Sequence, residues 1–437
     1  MSDPNLAKRC EPLLGEVQNH LHNELLPFWR RLEVDEGYGG FLTFLGEDGK
    51  PTGRTDLKTS LSHFRLLFTA SHVVRAGYDN DGTFRRQAQQ CLDFLTTHYW
   101  DKANGGWFWT ADRAGKIIDP SKIGYGQDFG IYAPAEHAVA IGCSNSLEWA
   151  VRTYETFISK ASDLCNGGVI EIFDRDWNPK KDAGTLNRLK DRTGGQRKGF
   201  DIHMHLMEAL TTLYEATENP VYKRKTQEVI DLLFQKAVNP KTCMPWEQFT
   251  YDWQPLPRMI FDNVWGSDRD DAVRPIDNTS YGHNVEFVWL LNHALNTVGL
   301  DKAPYLRKMQ EMMNHAVKYG VDWTNGGVYC DGAQDGPARE KNKEFWQQAE
   351  CMVGFLDAYL LFGDQRYLDA YENVHRFAMD KMINHKVGEW LPLLDIDNRV
   401  LRTYMAHEWK EGYHTVRAMI EVEKRLKEAC KADGKEQ

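Results

Sequence analysis

Four copies of one short turn recur along this chain, and their spacing limits what it can fold into. They read Tyr38-Gly39-Gly40-Phe41, Asn104-Gly105-Gly106-Trp107, Asn166-Gly167-Gly168-Val169 and Asn325-Gly326-Gly327-Val328. A looser copy is Val387-Gly388-Glu389-Trp390. Counted at the second glycine, the steps are 66, 62 and 159 residues, and 61 residues separate Gly327 from Gly388. The long step spans about two periods, with Cys243-Met244-Pro245-Trp246 near its middle, so the chain reads as six units of roughly 60–80 residues.

Each turn leads into a short β-like run, such as Phe41-Leu42-Thr43-Phe44 or Trp107-Phe108-Trp109-Thr110. Between the inserts lie helical stretches, two to a unit. Leu57 to Arg75, Asp81 to Trp100, Pro134 to Ala161 and Met204 to Thr217 are four of them. On the first, Leu61, Phe64, Leu67 and Phe68 form one apolar face. A fixed period with two helices per unit means a solenoid or a closed ring. Six helical hairpins make an all-α (α/α)6 barrel, with the inserts gathered at one mouth. The alternative, an open solenoid, usually has shorter periods of about 34–47 residues. No linker-like stretch divides the chain, so 1–437 is expected to be one barrel domain. The polar stretch from Asp174 to Gly199 is long enough for a lid or site element.

Composition excludes several functions. The 53 basic and 63 acidic residues leave a formal charge of −10, with no basic surplus to neutralise nucleic-acid phosphates. No apolar run reaches the length of a membrane span, and the first residues carry no secretory pattern. The eight cysteines are scattered without a CxxC pair, as expected of reduced thiols in a cytoplasmic protein. Fourteen tryptophans need a core or a ring-binding cleft, and Trp107 and Trp109 are placed by their insert at the mouth.

Histidine carries the chemical information. His203 and His205, His283, and His414 each fall at or near the start of an amphipathic helix. Gly282 and Gly412 permit a tight entry, and Ser280 or Thr279 can cap the second of these helices. His283 and Glu286 share a face, as do His414 and Arg417. A helix N-terminus disfavours imidazolium and keeps histidine able to accept a proton. In a ring, these starts converge on one mouth. A metal site is disfavoured: His203-x-His205 is a poor helical pair for one ion, and no HExxH is present. Trp346 and Glu350 share a helix face, and Arg65 lies in an apolar stretch where burial demands a partner or a ligand.

These motifs together resemble the N-acylglucosamine 2-epimerase superfamily. The blocks are Gly282-His283-x-x-Glu286-x-x-Trp289, Phe345-Trp346-x-Gln348-Ala349-Glu350, Trp409-Lys410-x-x-Tyr413-His414-x-x-Arg417, Met204-His205-Leu206-x-Glu208 and Gln127-x-Phe129-x-x-Tyr132. They run in order from Arg65 to Arg417 and are most similar to the cellobiose and mannose 2-epimerase branch. Phe345 stands where cellobiose 2-epimerases usually carry the first of two tryptophans.

The resemblance implies a cofactor-free (α/α)6 barrel acting on a free reducing sugar, as a monomer or homodimer. It implies His283 and His414 as the acid–base pair at C2. Glu286 would orient His283, and Arg65 would stabilise an enolate oxygen. His205, Glu350, Trp346, Trp409 and Tyr132 would bind the substrate. Three other readings stay open: an aldose–ketose isomerase of the same superfamily, an (α/α)6 glycoside hydrolase using carboxylates such as Asp128, Glu286 and Glu350, and a noncatalytic sugar-binding toroid.

Overall fold

A computed structural model describes residues 6–180, 197–256, 258–259, 275–276 and 279–432. Of the polar 174–199 stretch, residues 181–196 lie outside the described residues, and with them the expectation of a lid. Six long helices form an inner ring: α3 (Ser60–Arg75), α5 (Gly124–Ile141), α7 (Phe200–Thr217), α9 (Tyr281–Val298), α11 (Phe345–Phe362) and α13 (Gly412–Ala432). Each packs on the next, and α13 packs on α3, which closes the ring. The open solenoid is thereby excluded. The outer ring holds α1 (Leu6–His20), α4 (Thr83–His98), α6 (Ser144–Ala161), α8 (Pro220–Leu232), α10 (Leu306–His315) and α12 (Gln365–Phe377), while the short α2 (Leu26–Arg30) completes the numbering. The sixth hairpin is unlike the others, because α1, from the start of the described chain, pairs with α13 from its end.

Patterning separates the two rings. Inner helices are buried nearly all round: on α11 every residue from Phe345 to Leu356 is buried. Outer helices are amphipathic, as in α10, where Met309, Met312 and Met313 face inward among charged neighbours. Pro134 to Ala161, expected as one helix, is two. Gly142 in a left-handed conformation (φ +70°) ends α5, which begins at Gly124 and contains Pro134. Among the described residues, no helix is long and apolar enough to cross a membrane.

The repeat is held by a device that the turns only half disclose. The two residues before an inner helix pair antiparallel with an insert strand: Lys58–Thr59 with Thr110–Ala111, Lys122–Ile123 with Ile172–Phe173, Lys198–Gly199 with Gln248–Phe249, and Lys343–Glu344 with Leu393–Leu394. The lysine of each pair is fully buried and reaches the aspartate that opens a Gly-Gly turn. Nζ lies 3.0 Å from Asp35 for Lys58, 3.2 Å from Asp101 for Lys122, 2.7 Å from Asp163 for Lys198 and 2.9 Å from Asp322 for Lys343.

Five residues beyond each lysine, a polar side chain pins the same turn. His63 and His203 accept the backbone N–H of Phe41 and Val169 at 3.0 Å, and Gln127 and Gln348 accept those of Trp107 and Val328 at 2.9 and 2.7 Å. Gly168 (φ +74°) is required here, since a Cβ would stand 2.5 Å from His203 Nε2. The fourth unit lacks both charges. Asn239 replaces the aspartate, Thr279 replaces the lysine, and Cys243 takes the left-handed turn position (φ +65°).

A buried pair broken on one side leaves an uncompensated charge, at a cost of about 3–5 kcal/mol. Lys122→Thr is therefore expected to lower stability by that order in denaturant titration. Adding Asp101→Asn, which recreates the fourth unit's uncharged pair, should recover at least half. A double variant no better than the single would refute this reading of the clip.

Candidate active site

In the sixth unit the buried Lys410 reaches Glu389 of the looser turn at 3.1 Å, and the clip residues Lys58, Lys122, Lys198, Thr279, Lys343 and Lys410 set a common register for the inner helices. Seven residues later, two helical turns down, come Arg65, Phe129, His205, Glu286, Glu350 and Arg417. Four residues later, one turn nearer the mouth, come His283 and His414. Two histidines thus stand above a charged layer. All of these residues except His283 are essentially buried.

Arg417 organises the layer. Its guanidinium donates to Glu286 Oε1 at 3.0 Å and Glu350 Oε1 at 2.7 Å, and it also pairs with Glu208. Three buried carboxylates around one cation cannot all ionise freely. Burial raises Glu208, but Arg417 and His205 pull it down to about 2. Glu350 is likewise held below its ordinary range by Arg417 and His414 against burial. Glu286 goes the other way, pushed up to about 8 by burial and by the neighbouring charge of Glu350. It is the member of the layer that keeps its proton. Glu286, Glu350 and His414 present donor atoms within 4.8 Å of one another, a spacing that could hold a cation. The Arg417 guanidinium is already bonded to both carboxylates there.

The three histidines at the mouth-side ends of α7, α9 and α13 that face this layer each meet a glutamate through Nδ1. His414 lies 2.6 Å from Glu350 Oε1, His205 2.8 Å from Glu208 Oε2 and His283 2.8 Å from Glu247 Oε2. A carboxylate at Nδ1 takes the N–H and leaves the lone pair on Nε2. Burial lowers His414 to about 3, so it is a neutral imidazole near pH 7. The Tyr125 hydroxyl donates to His205 Nε2 (3.1 Å) and accepts from Arg65 Nη2 (2.9 Å). Arg65 also donates to the Trp409 carbonyl and lies against the rings of Tyr125, Phe129 and Tyr413. Its Nε has no hydrogen-bond partner, and it makes no ion pair among the described residues.

The aromatic walls follow from close approaches. A Cβ on Gly282 would stand 2.5 Å from Gln347 Cγ, so this glycine lets α9 and α11 meet. The Trp346 ring then lies 4.7 Å from His283 and 5.8 Å from His414, between centroids. Trp409 packs on Trp109 and Tyr125, both at 5.5 Å. Ser280 caps α9 as expected, its hydroxyl accepting the His283 N–H at 3.4 Å.

Several expectations change. The carboxylate at His283 Nδ1 is Glu247, from the preceding insert, and not Glu286. Glu350, expected at substrate hydroxyls, has both oxygens engaged by His414, Arg417 and Trp289 Nε1. Tyr132 lies beyond the Arg417 layer, lining a cavity of about 440 Å³ toward the far ends of the helices with His72, Glu136, His293 and Lys424. His203 pins a turn, as described. Trp107 is core: its Nε1 donates to Thr153 Oγ1 at 2.9 Å and its ring packs between Trp100 and Phe64. Asp128, a candidate for hydrolysis, is buried with both oxygens unbonded, and burial raises it well above its usual range. Sequence reasoning gave no role to Tyr125, Glu208, Glu247 or Arg417. The clip register would have put Arg417 level with the other charged residues.

The model of the family described as N-acylglucosamine 2-epimerase matches residues 39–418. A cellobiose 2-epimerase of Dictyoglomus turgidum is 29% identical over 420 residues, 95% of this chain and 99% of that protein. A D-mannose isomerase of Marinomonas mediterranea is 27% identical over 395 residues, 89% of this chain and 92% of its own. The solved cellobiose 2-epimerase of Spirochaeta thermophila superposes with a TM-score of 0.81 at 26% identity, covering 96% of this chain and 98% of that one.

Proposed function

The chain belongs to the N-acylglucosamine 2-epimerase family and is a carbohydrate isomerase or epimerase, and from that premise we propose that it inverts C2 of a free reducing aldose. The substrate is of the glucose or mannose type, either a monosaccharide or the reducing end of a β-1,4 disaccharide such as cellobiose. The observation that carries this reading is the pair His283 and His414, each fixed through Nδ1 by a carboxylate and both beside Trp346.

The C2 hydrogen of an open-chain aldose is acidic because it lies α to the C1 aldehyde. One histidine removes it through Nε2, the electron pair moves onto the carbonyl oxygen, and an enediolate forms. The other histidine, which enters this step as the imidazolium held by its carboxylate, gives its Nε2 proton to the opposite face of C2, the C1 carbonyl is restored, and the two histidines have exchanged protonation states. Which histidine starts depends on the configuration of the sugar. Arg65, a buried cation with no ion pair among the described residues, stabilises the enediolate oxygen. His205 and Tyr125 hold a hydroxyl beside it, and Trp346 and Trp409 supply ring surfaces. Glu350 acts through His414 by holding its tautomer. Protonated Glu286 can donate a hydrogen bond toward the reacting oxygens through its unbonded Oε2.

The similarity to a D-mannose isomerase favours one second reading, in which the same enediolate is protonated at C1 to give a ketose. Incubating glucose, mannose, cellobiose, lactose and N-acetylglucosamine in heavy water separates the two. The 2-epimer carrying deuterium at C2 supports inversion. A ketose as main product, or no deuterium in any sugar, refutes it.

A further inference from the structure

We infer that Glu247 is the positioning residue of His283, fixing its tautomer and aiming its Nε2 for proton transfer at C2. The inference deepens the proposed C2 chemistry and rests on it. Its physical basis is a closed ring of hydrogen bonds. Glu247 Oε1 accepts the Ser280 backbone N–H at 3.2 Å, and Oε2 meets His283 Nδ1 at 2.8 Å. The His283 backbone N–H returns to Ser280 Oγ at 3.4 Å. The Glu247 carbonyl meanwhile accepts the Phe200 N–H at 2.9 Å, anchoring the insert to the start of α7. The carboxylate is 5% exposed and has little freedom to leave this arrangement.

Glu286, three residues along the same helix, cannot fill this role. Its Oε1 is bonded to Arg417, and a carboxyl that keeps its proton does not supply the negative charge that supports an imidazolium. A histidine without an anion at Nδ1 can flip or exchange tautomers, and its intrinsically favoured tautomer carries the N–H on Nε2, where a lone pair is needed. Glu247 gives His283 what Glu350 gives His414, so both faces of C2 meet the same kind of dyad.

Glu247→Gln is the sharp test, because both oxygens of Glu247 accept N–H groups and glutamine has only one. One of the two donors must then face an NH2 group. The expected result is a kcat lower by about a hundredfold with KM within about threefold, partly rescued in Glu247→Asp. A carboxylate raises the proton affinity of its histidine, so removing it lowers that affinity. The acidic limb of kcat/KM should move to lower pH. An unchanged kcat and limb in a folded Glu247→Gln protein would overturn the inference. Nitrogen-15 NMR of the imidazoles in the parent protein gives an independent reading: His283 should be the Nδ1–H tautomer, and a majority Nε2–H form would overturn it too. If the parent exchanges no C2 hydrogen with any aldose, the proposed chemistry fails, while the NMR result still decides the pairing.

Discussion

Replacing His414 with asparagine is expected to lower exchange of the C2 hydrogen into heavy water by about a thousandfold, with the fold intact. Asparagine can still donate to Glu350, so the carboxylate keeps a partner and the layer beneath is undisturbed. What is lost is the basic Nε2, for which an amide has no equivalent. The control is His203→Gln. That histidine also starts an inner helix and is also buried, but it pins a turn, and Gln127 and Gln348 do the same work in other units. His203→Gln should keep kcat within a few-fold and change only the unfolding midpoint. Equal losses in the two variants would mean that neither histidine is a proton acceptor in the reaction.

Arg417→Met should be the most destabilising single change, by about 3–5 kcal/mol near pH 8, because it strips the shared cation from Glu208, Glu286 and Glu350. The pH dependence has a definite sign. In the parent, Glu208 at about 2 lies below its ordinary 4.5, so its contribution is present above 4.5 and lost as pH falls through 2. Without Arg417, burial dominates, and Glu208 and Glu350 join Glu286 above 4.5. The folded variant then holds protons that the unfolded chain releases, and it loses stability as pH rises. The deficit against the parent should therefore shrink between pH 8 and pH 5, as read from urea midpoints. A deficit equal or larger at pH 5 would show that Arg417 is not the counter-ion of this layer. Activity should fall as well, since Glu350 loses one of the bonds that aim it at His414.

The ring of six hairpins was legible from turn spacing, because glycines with positive φ mark five copies of the turn and the Cys243 copy falls in the gap they leave. Histidines at helix starts were legible too, since entry glycines and caps mark where inner helices begin. Their partners were less so. Spacing within one helix paired His283 with Glu286, but in the structure the partner comes from an insert of the preceding unit. Its position matches Trp109, Glu171, Cys330 and Pro392, whose carbonyls likewise receive the first N–H of an inner helix. Side chains at that position vary freely, so no local pattern singles out Glu247. Tyr132 misled for the opposite reason. It lies on an inner helix of the right unit but ten residues past its clip lysine, where the interior has passed beyond the charged layer. The clip itself was written in the sequence as lysines five residues before His63, Gln127, His203 and Gln348, but only burial reveals that those lysines are structural.

The sixth hairpin pairs helices from opposite ends of the chain, as in the contact of Gln18 with Glu423 at 2.9 Å. Closing a loop of that size is slow relative to forming the local hairpins. His414 and Arg417 both ride on α13, which follows the other five inner helices in chain order. Until it docks, Glu208 and Glu350 have no guanidinium between them and the enclosed layer cannot be completed. Ring closure is thus a checkpoint: a chain stopped short of α13 can assemble most of its hairpins yet lacks His414, one of the two histidines proposed to transfer the proton, so the appearance of activity is expected to follow ring closure and to serve as a clock for it.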